Sequence, residues 1–114
     1  MNKLYHFQVY MPDLPLKFGK QRLNYSNHAL NASRDDRYGY IQLPTSIDTN
    51  TAKVIEVEIV NNRFLSKVVY RVDYDNTHDL IVVVIPDRWF VKTVWLNRKD
   101  DKHQTLRREK YAVA

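Results

Sequence analysis

The residues best suited to acid–base or phosphate chemistry gather in one stretch, "YSNHALNASRDDRYGYIQLP", residues 25–44. His28 stands just inside a helix start, and Arg34 and Arg37 follow about one and two turns later. An imidazole with an unperturbed pKa of about 6.5 can take or give a proton near neutrality. Metal-free RNA cleavage asks for that: a base for the 2′-hydroxyl, an acid for the leaving 5′-oxygen, and cations around the phosphorane. Arg71, in the middle of an expected strand, offers a planar fork that suits a phosphate. The plainer alternatives stand beside these. His28 is a helix-start residue with a satisfied imidazole, or Arg71 pairs across the sheet with Glu56 or Glu58.

Other chemistries find little support. With no cysteine there are neither disulfides nor thiolate metal ligands. His6, His28, His78 and His103 are scattered rather than paired, which argues against zinc. Only Gly19 and Gly39 occur, so there is no phosphate-cradling glycine loop, and no nucleophile-elbow serine is visible. No cofactor is expected.

The elements that must hold these residues follow from period-two patterns. Strands are expected near 53–60, 66–74, 80–85 and 90–97, joined by the polar turns "NNR", "DNTHD" and "DRW". "AKVIEVEIV" alternates Val54, Glu56 and Glu58 against Ile55, Val57 and Ile59. "LIVVVIP" is apolar on both faces and belongs at the sheet centre. In the last strand Val91, Thr93, Trp95 and Asn97 share one face, and Phe90, Lys92, Val94 and Leu96 the other. A face with Thr, Trp and Asn suits a nucleic-acid surface, where an indole stacks a base. The alternative is that Trp95 covers the sheet or packs under the helix.

One helix is expected over 27–38, with Ser26 as N-cap and Gly39 just past its end. "LYHFQVYM" reads as an edge strand or arm within residues 1–24. "LPTSIDTNTA" reads as a loop, and the tail from Asp101, within 98–114, as a second short helix. The fold class is then α+β, a single domain of 114 residues with a short helix on a four-stranded antiparallel meander.

The net charge of +5 is concentrated. Residues 88–110 hold eight Lys/Arg against three Asp/Glu, a surplus of five, and the rest of the chain balances. Such a segment favours a phosphate-bearing partner through counterion release, or else is a solvated tail. No apolar run approaches the roughly 20 residues of a membrane helix, and "MNKLYHFQVYMP" lacks a signal-like apolar core. A cytoplasmic protein of a bacterium or of a phage-infected host is the expectation.

"YSNHAL…R…DRYGYI", with the polar turn, the apolar strand and "VKTVWLNRKDDKHQTLRREKY" that follow, resembles small proteins of the RelE/BrnT-like toxin superfamily. It is also similar to the corresponding stretch of phage messenger-RNA endoribonucleases of the RegB type. The resemblance implies a helix on a twisted antiparallel sheet, RNA on the open sheet face, and metal-independent cleavage. It matches His28 to the motif histidine, Arg34 or Arg37 to the motif arginines at a spacing one residue off, and Thr93 to a polar last-strand position. His103, Arg107 and Tyr111 fall in the region of the family's tail. "RYG" replaces the usual "RG", and Asp35 and Asp36 are additional carboxylates that would repel RNA unless they face away or pair with Arg34 and Arg37.

The expected catalytic set is thus His28, Arg71 and Thr93. The expected nucleic-acid contacts are Arg34, Arg37, Lys92, Trp95, Asn97, Lys99, Lys102, His103, Arg107 and Arg108. The function implied is a toxin-type or phage host-takeover endoribonuclease acting on messenger RNA, at the ribosome or off it, with an antitoxin or host protein as partner. The alternative is a non-catalytic binder of nucleic acid or of a host protein on the same scaffold. A third reading is a structural protein whose basic tail only keeps it soluble.

Overall fold

The computed structural model describes residues 3–4, 17–60 and 64–101. The elements in chain order are β1 (Lys3–Leu4), β2 (Lys20–Arg22), β3 (Asn24–Tyr25), α1 (Asn27–Arg34), β4 (Ser46–Asp48), β5 (Lys53–Val60), β6 (Phe64–Asp73), β7 (His78–Ile85) and β8 (Phe90–Arg98). The α+β class holds, with one helix among the described residues. The four expected long strands are β5 to β8, and they do run as antiparallel neighbours.

The sheet is larger than a four-stranded antiparallel meander, which corrects that expectation. Its order is β1-β5-β6-β7-β8-β3, and β3 lies parallel to β8, so the sheet is mixed. β2 and β4 form a separate antiparallel ribbon, so part of the expected 43–52 loop is a strand. Two- and three-residue strands carry too little alternation to be read from sequence, which is why these additions were missed. The expected tail helix lies outside the described residues beyond Asp101, and most of the "LYHFQVYM" strand lies outside them as well; Lys3 and Leu4 pair with Val60 and Ile59.

Bulges decide which side chains share a face. In β8, Val84 pairs with Val91 and Val83 with Thr93, which leaves Lys92 as the extra residue. An extra residue reverses the alternation around it. Val91 therefore joins Val94 and Leu96 in the main core, while Thr93, Trp95 and Asn97 lie opposite Val83, Ile81 and Asp79. In β5, Val54 pairs with Tyr70 and Glu56 with Val69, so Ile55 is the extra residue. It leaves Val57 and Ile59 and packs with Val69, Ile81 and Val83 on the second face. The expected face groupings in both strands are corrected accordingly.

The first face carries the larger core, including Val68, Tyr70, Leu80 and Val82, and is covered by Leu23, Ala29, Ile41 and Ile47. Ala29 is fully buried; a larger side chain there would overpack by about 1–3 kcal/mol. Ser26 caps α1 by accepting the Ala29 N–H at 2.9 Å, as its sequence position suggested. The helix ends at Arg34 with Asp35 as C-cap, four residues before its expected end. Asp36 is the cause: its side chain accepts the backbone N–H groups of Tyr38 and Leu96, a use of the carboxylate that competes with continued helix.

α1 lies along the outer edge of β8. The Ser26 N–H reaches the Val91 carbonyl at 3.0 Å and its hydroxyl donates to the Lys92 carbonyl at 2.9 Å. At the other end the Asp36 carboxylate meets the Leu96 N–H at 3.2 Å. A helix and its two flanking side chains thus occupy backbone groups that would otherwise form an open strand edge.

Candidate nucleic-acid interface

Arg71 and Thr93 project from the second face, and α1 packs on the first. Tyr70 is in the first core, so its neighbour Arg71 points the other way, and Thr93 is paired with Val83 of the second-face cluster. His28 is exposed on the first turn of a helix whose buried Ala29 belongs to the first core. Of the expected catalytic residues, Arg71 and Thr93 thus share the second face, while His28 stands on the first turn of α1. The helix that supplies the histidine and the strand that supplies the arginine contribute to opposite faces.

Arg71 is engaged structurally. It is 2 % exposed. Its Nε donates to Asp79 at 2.7 Å and its Nη2 to the Arg98 carbonyl at 2.6 Å. Asp79 also accepts from Lys99 at 2.7 Å, and Lys99 reaches Asp73 as well. Asp101 stands 3.9 Å from the guanidinium. Burial works to raise the Asp79 carboxyl, but hydrogen bonds and charge from Lys99 and Arg71 outweigh it and hold the group below its ordinary range. Asp79, on the next strand, is thus a partner of Arg71 that the sequence reading did not name. Lys99, expected on nucleic acid, belongs to this network; its hydrogen bonds to Asp73 and then Asp79 raise its pKa. Asp79 sits at the end of the apolar β7 pattern, and nothing in the alternation marked it as the acceptor.

Three of the expected nucleic-acid residues do come together. Arg37, Trp95 and Asn97 line one cleft of about 490 Å³ between the end of α1 and β8, with Ala32, Val94, Asp35 and Asp36. Trp95 is 37 % exposed, so part of its indole is open to solvent. Arg37 lies over the Tyr38 ring, 4.8 Å from its centroid, and that ring in turn packs on His78 at 4.6 Å. Tyr38 is 41 % exposed, and Tyr40, more open still, follows. Tyr38 and His78 were not singled out from sequence; their contact joins residues 40 positions apart and leaves no local pattern.

The two carboxylates in the cleft differ: Asp36 is tied to the scaffold and Asp35 is exposed. Asp36 has both oxygens on backbone N–H groups, so its charge is spread over the scaffold rather than presented to a ligand. Neither aspartate is ion-paired to Arg34 or Arg37 among the described residues. Arg34 instead donates to Asn31 at 3.2 Å. Lys92 is exposed beside the helix start. Lys102, His103, Arg107 and Arg108 lie outside the described residues. A second and larger cleft of about 690 Å³, under residues 42–51, is lined by Ile47, Val72, Leu80, Asp48 and Asp73 and holds none of the expected site residues.

Comparison with protein-family models, curated proteins and solved structures found no match. No group of three or more metal-binding side chains occurs among the described residues, and no described helix is long and apolar enough to cross a membrane.

Proposed function

We propose that this protein binds single-stranded RNA without cleaving it, through the cleft between the end of α1 and β8. The observation that carries this reading is the meeting of Trp95, Arg37 and Asn97 around one opening, with the exposed Tyr38 ring under Arg37. An exposed indole is a stacking platform for any base, and a neighbouring guanidinium supplies a phosphate contact. Asn97 adds both a donor and an acceptor for a base edge. Asp35, exposed at the rim, offers an acceptor to base amino groups. The binding reading is preferred over cleavage because the Arg71 guanidinium is buried and engaged by Asp79 and the Arg98 carbonyl.

The test is fluorescence anisotropy of a labelled single-stranded RNA at about 50 mM salt. Stacking contributes about 1–3 kcal/mol per base, so Trp95→Ala should weaken binding by about 5–150-fold. Arg37→Gln should weaken it and flatten the salt dependence. An absence of binding at this salt, or equal binding by Trp95→Ala, overturns the proposal.

A further inference from the structure

We propose that the solvent face of α1 carries the RNA backbone away from the Trp95 cleft, so that the protein holds a single strand along a track rather than at one nucleotide. The inference rests on the RNA-binding reading above and extends it to the path and length of the ligand. His28, Asn31 and Arg34 recur at three-residue spacing on the exposed side of α1, and Arg37, past the helix end, lines the Trp95 cleft. Residues three apart lie on one helix face, so this is a continuous stripe. All four carry N–H donors. None of them is in an ion pair among the described residues. The Asn31 carbonyl oxygen accepts from Arg34, which leaves its amide N–H groups for a ligand.

The stripe leads somewhere at each end. Its C-terminal end is the Trp95 cleft. At its N-terminal end Ser26 is bonded to the Lys92 carbonyl, and the Asn24 side chain to the Arg88 carbonyl. Lys92 and Arg88 are both exposed, and Arg88 is steadied over the Phe90 ring at 5.4 Å. Asp87 is the exposed carboxylate beside Arg88, and the cations outnumber it there. Eight helical residues span about 12 Å. A donor row of that length, running from a stacking cleft to two further cations, fits several consecutive phosphates. It lies at the short end of the roughly 4–16 nucleotides that single-strand-binding folds cover.

The experiment measures anisotropy with labelled oligouridines of 3, 6, 9 and 12 nucleotides at low salt. It compares the unmodified protein, Trp95→Ala, and a triple variant with Arg34→Gln, Arg88→Gln and Lys92→Gln. These three side chains are exposed, and circular dichroism should confirm an unchanged fold. Affinity of the unmodified protein should rise more than tenfold from 3 to 9 nucleotides. In the triple variant the 3-mer should bind as before, while the 9-mer loses that gain. The log–log salt slope of the 9-mer should then shrink by about 2, the value for three lost single-strand contacts. If the unmodified protein binds 3-mer and 9-mer alike, or the triple variant keeps the length gain, the track is wrong and the cleft reading survives. If Trp95→Ala alone leaves every length unaffected, or no oligouridine binds, the cleft reading falls and the track with it. A deca-glutamate peptide binding as tightly as the 9-mer would mark a general polyanion surface and also overturn the track.

Discussion

The Asp36 carboxylate and the Leu96 backbone N–H meet at 3.2 Å on the outer edge of β8, while the second Asp36 oxygen holds the Tyr38 N–H at 3.0 Å. One side chain thereby ends α1, fixes the Tyr38 backbone and closes part of a strand edge. Asp36→Ala should destabilise the protein by about 1.5–3 kcal/mol, since hydrogen bonds to a charged group are lost. Asp35→Ala, at an exposed neighbour, should stay within about 0.5 kcal/mol. Urea melts of the two variants make the comparison.

The Arg71–Asp79 pair should be structurally strict. Asp79→Asn takes from a guanidinium that is 2 % exposed its nearest counter-charge, leaving Asp101 at 3.9 Å, and removal of one partner of a buried pair costs up to about 3–5 kcal/mol. Replacing both, as Arg71→Met with Asp79→Leu, should cost less than the sum of the single changes. A double-mutant cycle in urea gives the coupling; additive single effects would show that the pair does not act as a unit.

That pair also sets an acid limit. The Asp79 carboxyl titrates below its unfolded value of about 3.9, so its contribution is fully present above about pH 4. It is lost as pH falls through the lower folded value, because the unfolded chain then binds the proton more readily. Urea midpoints should decline below pH 4, and the decline should be smaller in Asp79→Asn.

Two buried tyrosines should respond oppositely to loss of the hydroxyl. The Tyr70 hydroxyl is buried with no hydrogen-bond partner among the described residues, and burial raises its pKa. Tyr70→Phe should be neutral or stabilise by up to about 1 kcal/mol. The Tyr25 hydroxyl, pushed up to about 12 by burial, donates to the Pro44 carbonyl at 2.5 Å. Tyr25→Phe should destabilise by about 1 kcal/mol, and thermal melts separate the two.

The reading of this protein as a binder that leaves RNA intact has a chemical consequence. Total RNA incubated with the protein in EDTA should show no new 5′-hydroxyl or cyclic-phosphate ends. His28→Ala should change affinity only modestly. New ends that vanish in His28→Ala would restore the histidine as catalyst.

The long strands were legible because each runs at least eight residues with a repeated alternation or an apolar run. Ser26 was legible as a cap from its type and place. The bulges at Ile55 and Lys92 were not, since a single extra residue changes the pattern only by a phase slip that its neighbours do not announce. Of the residues that line the cleft, Trp95 and Asn97 were legible as surface positions because Thr, Trp and Asn alternate on a strand that should be apolar. For Arg71 the sequence left two readings open, a ligand contact or an ion-pair partner, and the residue that engages it here, Asp79, lies on another strand. Tyr38 and His78 meet only through tertiary packing.

The bond from Ser26 to the Lys92 carbonyl spans 66 residues. During synthesis at about 5–20 residues per second, α1 waits roughly 3–13 s for the strand it leans on. Over that interval the short β3 strand has no β8 to pair with, and the few small apolar residues of α1 have no core to enter. The β5 to β8 hairpins, whose contacts are local, can form as they emerge, and the earlier-made segment docks last. Nascent chains arrested before β8 emerges should therefore leave α1 open to proteases, and release of the full chain should close it.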